Sequence, residues 1–431
     1  MRKQISPFAV RQVCFPSGER LPMLCSRASG LPLFEPTLYA LTELRARNRS
    51  AATIQQALRS IMVLYLALDR LGIDLADRLG QGKLLEAGEI EEIVRACRLP
   101  LPAFTSEEAG QPLRRSTVVS LERVRMRSPA VETADVDPGT AAIRLHYIRG
   151  YLKWRVDTQL LKLSGSQRGA AYAHLRSTAD VVHRALEERT PASRSRNLTG
   201  QRQGMSEEAL ARVLEVIKPD YPDNPWKGEH ARERNALIVR WFIDLGLRRG
   251  ELLGVKIPNI NFQGNEVLIE RRADDPDDPR INQPNAKTYD RLLPLSDELT
   301  RLTHRYITGH RRAKEGSRKH TFLFVAVATG APLTLSSLNK VFVVLRRKCP
   351  DLPDDLSPHV LRHTWNDHFS EIMDQQGVSE ETEKKMRSRL MGWSETSGTA
   401  AIYTRRHVQR KAREVSLAMQ RKLNKEPSNE P

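Results

Sequence analysis

Apolar residues recur at every third or fourth position over most of this chain, and that spacing confines it to a mostly helical fold. Leu38, Leu41 and Leu44 set the first stripe. A second helix is predicted over 50–72, SAATIQQALRSIMVLYLALDRLG, with Ser50 or Thr53 as N-cap and Gly72 as its stop. Helical pattern returns in GEIEEIVRACR, in GTAAIRLHYIRGYLKWRVDTQLL, where Ile143, Tyr147, Tyr151 and Leu152 line one face, and in GAAYAHLRSTADVVHRALEER. Pro100, Pro102, Pro112, Pro129 and Pro138 predict loops across 99–138. Residues 1–35, with scattered Pro and Gly, read as an irregular lead-in, so 36–189 form a helical module.

The pattern breaks over 190–204, TPASRSRNLTGQRQG, which carries Arg194, Arg196 and Arg202 and no acid. This stretch is expected to be an interdomain linker. A plain solvated loop would also fit, but an acid-free arginine segment suits a path along phosphates. A second module spans 205–404. It opens with a helix capped by Ser206 and continues with the apolar NALIVRWFIDLGL. The short strands VKIPNINF, NEVLIER and RLLPL follow, and the chain is then mostly helical again. Between the strands, RADDPDDPRINQPN brings Asp274, Asp275, Asp277 and Asp278 together. Its prolines, and the lack of a glycine at the EF-hand position, argue against a metal loop, so a solvated hairpin tip is expected. Residues 405–431 form a C-terminal helix and tail. The fold class is therefore mostly α with a small β-sheet, in two domains.

Charge narrows the partner. The chain carries 69 Lys+Arg against 52 Asp+Glu, a formal net charge of +17, which favours a polyanion, with nucleic acid ahead of an anionic membrane surface. No uninterrupted apolar run of about 18 residues is present, so no membrane span is expected. The N-terminal stretch has no apolar core typical of a signal peptide. Cys14, Cys25, Cys97 and Cys349 are scattered and fit free thiols in a reducing cytoplasm.

Five local signals then lie in order through the second module. GLRRGELLGV places Arg248 and Glu251 three residues apart, where a carboxylate can hold a guanidinium; alone, such a pair is usually a surface ion pair. AKTYDRLLPL sets Lys287 just before a strand, a position more often merely solvated. PHVLRHTW puts His359 and Arg362 on one helix face, within reach of a single phosphate. LMGWSE places Trp393 after a glycine, where a core role is the usual one. AIYTRRH sets Tyr403 ahead of a basic helix.

Together, in this order and spacing, the five resemble the tyrosine recombinase (phage integrase) family over roughly 205–425, with a looser likeness of 36–190 to the family's core-binding domain. The residues matching the family pattern are Arg248 with supporting Glu251, Lys287, His359 with Arg362, Trp393 and Tyr403. Two departures stand out: the family more often has His where Trp393 stands, and the interval from Trp393 to Tyr403 is one residue longer than is commonest. An indole N–H can donate to a phosphate oxygen but cannot shuttle a proton.

The resemblance implies a two-domain DNA clamp, a helical core-binding domain plus an α+β catalytic domain. It would act as a site-specific recombinase for integration, excision or resolution of a mobile element. Tyr403 would be the nucleophile forming a 3′-phosphotyrosine, Arg248 and Arg362 the charge stabilisers, His359 the general base and Lys287 the general acid. No cofactor or metal is expected, since two guanidinium groups can offset the phosphoryl charge. Tyr289 and Tyr306 rank far lower as nucleophiles. The partners implied are double-stranded DNA sites and further copies of the chain, a tetramer on paired sites whose C-terminal segment docks on a neighbour. The need for accessory proteins stays open. Two alternatives remain: a type IB topoisomerase-like enzyme that religates without exchange, and a non-catalytic DNA-binding regulator.

Overall fold

The structure is a computed structural model and describes residues 6–104, 135–162, 169–192, 204–285, 288–394 and 396–423. The chain divides into two compact units, one of residues 1–15 and 19–198, the other of 16–18 and 199–431.

Among its described residues the first unit is helical apart from one hairpin and the connecting loops. In place of the irregular lead-in expected for 1–35, β1 (Phe8–Cys14) and β2 (Arg20–Ser26) pair antiparallel, Phe8 against Ser26 and Cys14 against Arg20. The alternation that makes this possible is short and interrupted by Pro22 within β2, which is why it does not stand out in the sequence. A short helix α1 (Phe34–Tyr39) leads to α2 (Ala51–Leu71). The Ser50 hydroxyl accepts from the Thr53 N–H, and Gly72 ends α2 at φ 65°, a left-handed C-cap. By length and composition α2 could cross a membrane. Here it is a core helix: Ile54, Leu58, Ile61 and Leu64 have no exposed surface. They meet residues of α3 (Leu75–Gly80), α4 (Ala87–Arg98), α5 (Pro138–Lys162) and α6 (Ala170–Glu188) in one core.

The second unit is built around α8 (Glu229–Leu245), which follows α7 (Glu207–Val216). Trp241 of α8 is fully buried, with its indole N–H donating to Thr303 Oγ1 at 3.0 Å. Next come a short helix α9 (Arg249–Gly254) and an antiparallel sheet of β3 (Ile260–Asn261), β4 (Glu266–Ile269) and β5 (Arg291–Pro294), with β4 central. Five helices complete the described part: α10 (Asp297–Tyr306), α11 (Leu335–Lys348), α12 (Pro358–Gln375), α13 (Glu380–Met391) and α14 (Gly398–Leu423).

The acidic stretch between β4 and β5 is not a solvated tip. Asp275, Asp278 and Arg280 are buried, as is Lys256, whose Nζ lies 2.9 Å from Asp275. The Arg280 guanidinium bonds Asp278 and the carbonyls of Leu253 and Leu333. Lys256, distant in sequence, neutralises Asp275, and Arg280 pairs with neighbouring Asp278 while reaching the Leu253 and Leu333 carbonyls, so the stretch folds down onto the domain. Arg311, in a basic run with the composition of a phosphate-contacting loop, is likewise buried, and it bonds the carbonyls of Phe322, Ser317 and His320.

Candidate active site

Local structure puts the first pair in place. Gly246 ends α8 at φ 58°, and two residues on Arg248 takes the N-cap position of α9. Glu251, in the first turn of α9, accepts the Arg248 backbone N–H at 2.9 Å and its Nη1 at 3.4 Å. The carboxylate is buried, with Thr288 Oγ1 at 2.7 Å, Arg291 Nη2 at 2.9 Å and Arg362 Nη1 at 3.7 Å. Burial opposes its ionisation, but Arg291 and Arg362 outweigh burial and hold the carboxyl down at about 2. Glu251 is thus the shared anion of a small arginine cluster.

Arg362 comes from α12, which starts at the Ser357 cap and Pro358. Its Nη1 donates to the Gly246 carbonyl at 2.5 Å, tying α12 to the end of α8. Its Nη2 is buried with no hydrogen-bond partner among the described residues. Burial and the nearby Arg248 push its pKa down to about 10, which leaves it charged at neutral pH. Arg248 is about one-third exposed, so one guanidinium is fixed in the wall and the other faces solvent.

Gly392 ends α13 at φ 64° and aims Trp393 into the same place. The indole ring lies 5.4 Å from the Arg362 guanidinium carbon and 6.0 Å from that of Arg248. Its Nε1 is also buried without a hydrogen-bond partner among the described residues. Tyr403, in the second turn of α14, is buried and stacks on Trp393 with centroids 5.7 Å apart and planes at 12°. The His363 ring lies 5.5 Å from that of Tyr403, and His363 Nε2 stands 3.2 Å from His359 Nε2.

Of the residues singled out from sequence, Arg248, Glu251, His359, Arg362, Trp393 and Tyr403 gather in this one cluster. Lys287 lies outside the described residues, as do Arg194, Arg196 and Arg202. The described residues flanking Lys287 are both held against α9. A Cβ at Gly250 would collide with the Asn285 carbonyl, and Thr288 bonds Glu251.

Three further residues join the cluster. Arg291 bonds Glu251 directly; period-two pairing puts it on the inner face of β5 with Leu293, leaving Leu292 half exposed. His363 lies between His359 and Tyr403, one turn after His359 on α12, and the spacing of four was the available signal. Arg387, with no exposed surface, lies 5.7 Å from the Tyr403 ring and bonds Asn366, Ser370 and Glu383. Its spacing of four from Glu383 resembles an ordinary surface pair.

Chemically, the cluster offers cationic and neutral N–H donors beside a phenol. It suits an anionic tetrahedral group whose charge rises during reaction.

Residues 206–410 match the phage integrase family. Tyrosine recombinase XerA of Saccharolobus solfataricus is 26% identical over 173 residues, 40% of this chain and 46% of that protein. The match therefore spans less than half of that relative. Among solved structures, XerA recombinase is similar with a TM-score of 0.35 and 15% identity, over 86% of this chain and 91% of that one. XerH site-specific recombinase bound to its difH substrate gives 0.39 and 16%, over 82% and 93%. The similarity to the phage integrase family thus covers residues 206–410, a little under half of the chain.

Proposed function

We propose that this protein is a site-specific DNA recombinase that cuts and rejoins strands through a 3′-phosphotyrosine. One observation carries the reading: two buried N–H donors have no acceptor among the described residues, Arg362 Nη2 and Trp393 Nε1, with the Arg362 guanidinium against the Trp393 ring and that ring stacked on Tyr403. Buried donors left unpaired are costly, and a phosphoryl oxygen would satisfy both. In the proposed step the Tyr403 oxygen attacks phosphorus and the bond to the 5′-oxygen breaks. The phenolic proton passes to His359, and Lys287 protonates the leaving 5′-oxygen. Arg248, Arg362 and Trp393 hold the non-bridging oxygens, and Glu251 holds the arginines. The energy of the broken ester is kept in the phosphotyrosine, so a 5′-hydroxyl can reverse the step without ATP.

The test is a substrate with sulfur at the scissile 5′-bridging position, whose thiolate leaves without protonation. Lys287→Ala is expected to lose about 10²- to 10⁴-fold on the oxygen substrate and to recover most of it on the sulfur one. Intact binding with no recovery removes Lys287 from the acid role. Since guanidinium groups carry the charge, cleavage is expected to be unchanged in excess EDTA; a loss that magnesium restores would contradict the metal-free step.

The recombinase reading includes assembly on paired DNA sites, with the Arg194, Arg196 and Arg202 linker following the backbone. Its work on DNA places it in the cytoplasm. On α14, Val408, Val415 and Met419 are 54%, 59% and 61% exposed, and Ala412 is also exposed, an apolar stripe suited to a second copy of the chain. Lys411 pairs with Asp374 of α12 at 3.0 Å, tying the helix to its own unit up to that point. Truncation after Lys411 is expected to keep single-site binding and to abolish paired-site complexes, read on native gels. Unimpaired recombination by the truncated chain would refute docking in trans. Site-independent relaxation of supercoiled DNA, without exchange, would favour the topoisomerase-like alternative.

A further inference from the structure

Arg387 of α13 has no exposed surface. Replacing a buried ion pair by apolar residues of similar size is commonly neutral or stabilising, so stability does not explain a charge kept at such depth. The guanidinium carbon lies 5.7 Å from the Tyr403 ring centroid and 4.8 Å from that of Phe369. Nη1 donates to the Asn366 carbonyl at 2.9 Å and to Asn366 Oδ1 at 3.0 Å. Nη2 donates to Ser370 Oγ at 2.6 Å and to Glu383, whose carboxylate also accepts the Ser370 hydroxyl at 2.9 Å. Nε is buried with no hydrogen-bond partner among the described residues. Asn366 is itself fixed, because its Nδ2 donates to the Arg362 carbonyl at 2.8 Å. Swinging the fork away from the phenol ring would break bonds to two residues of α12.

We propose that Arg387 is a positioning residue for the charge of the nucleophile: held beside the Tyr403 ring, it stabilises the phenolate as its proton leaves, and again when the phenolate departs during rejoining. A phenolate spreads its negative charge into the ring, so a cation beside that ring favours the ionised form over the neutral one. The other ionisable groups packed here are Arg362 and the His359–His363 pair of α12, on the side of the phenol, and Glu383 of α13 with Asp367 of α12, which act on Arg387. Glu383 is the counter-ion that moderates the field. The inference rests on the recombinase reading, in which Tyr403 is the nucleophile.

A fluorinated tyrosine at position 403, whose phenol is intrinsically more acidic, supplies two readouts. Its fluorine NMR resonance, titrated in the full-length chain without DNA, follows ionisation of the phenol directly. Its rate of adduct formation on a nicked suicide substrate, relative to that of ordinary tyrosine, shows how much activation the site lacks. The paired variant Arg387→Met with Glu383→Leu removes cation and counter-ion together and leaves no buried orphan charge. Its phenol is expected to ionise at higher pH, with about a tenfold loss of cleavage by ordinary Tyr403 near neutral pH and recovery of most of that loss by the fluorinated ring. Glu383→Gln keeps Arg387 and removes only the opposing charge, so its phenol should ionise at lower pH than in the unaltered chain. It carries the test if the paired variant does not fold. A merely structural Arg387 predicts equal losses with both rings and no change in the titration. Midpoints that stay put or move in the opposite sense in the folded variants would overturn this inference alone. A covalent adduct that persists in Tyr403→Phe would overturn the inference together with the assignment of the nucleophile.

Discussion

Tyr403→Phe is expected to bind DNA like the unaltered protein and to form no covalent adduct. The ring is the structural part of this side chain: it is buried, stacked on Trp393, beside His363 and under Arg387. Phenylalanine keeps that packing and removes only the oxygen. Stability should therefore change little, while loss of a nucleophile in comparable enzymes costs on the order of 10⁶ in turnover. Denaturing gels on a nicked suicide substrate measure it. An adduct that persists in the variant would move the nucleophile elsewhere.

Glu251→Gln is expected to damage stability and activity together. The substitution leaves Arg291 and Arg362 buried without their shared anion, and breaking such a pairing costs roughly 3–5 kcal/mol. For a unit of this size that lowers the melting temperature by about 10 °C. The pH dependence gives a second signature. The carboxyl titrates at about 2 in the folded chain, below its ordinary value of 4.5. Its contribution is therefore present above the unfolded value and is lost as pH falls through the folded one. A shift of that size corresponds to on the order of 3 kcal/mol. The stability gap between the two proteins should be widest above pH 5, narrowing steadily toward pH 2. A gap that stays constant with pH would show that the carboxylate charge is not what the cluster needs.

Much of this cluster is legible in the sequence because each motif sits on a local device with its own signal. Arg248 and Glu251 span a helix cap, His359 and Arg362 share a helix face, and Gly392 supplies the left-handed turn before Trp393. What is hidden has a common cause. Arg291 faces inward through strand parity, and in RLLP two adjacent leucines compete for the inner face. Asp275 and Asp278 look solvated until the fold brings Lys256 to Asp275 and sets Arg280, already next to Asp278, against the Leu253 and Leu333 carbonyls. Arg387 and Glu383 have the spacing of a surface pair, and only the packing of α12 and α14 around them makes them internal. Charge burial depends on contacts far apart in sequence, which composition and periodicity do not record.

Mapping the covalent attachment tests the central claim most directly. The unaltered protein would be trapped on a suicide substrate, digested, and the nucleotide-bearing peptide sequenced by tandem mass spectrometry. Tyr306 is 1% exposed, and burial lifts its phenol to about 12, so it is a poor nucleophile. Tyr289 is 65% exposed and is the rival within reach of this region. The expected result is a nucleotide on Tyr403, joined through the 3′-phosphate with a free 5′-hydroxyl on the released strand. A nucleotide on Tyr289, a 5′-linked adduct, or cleavage with no protein attached would contradict the account.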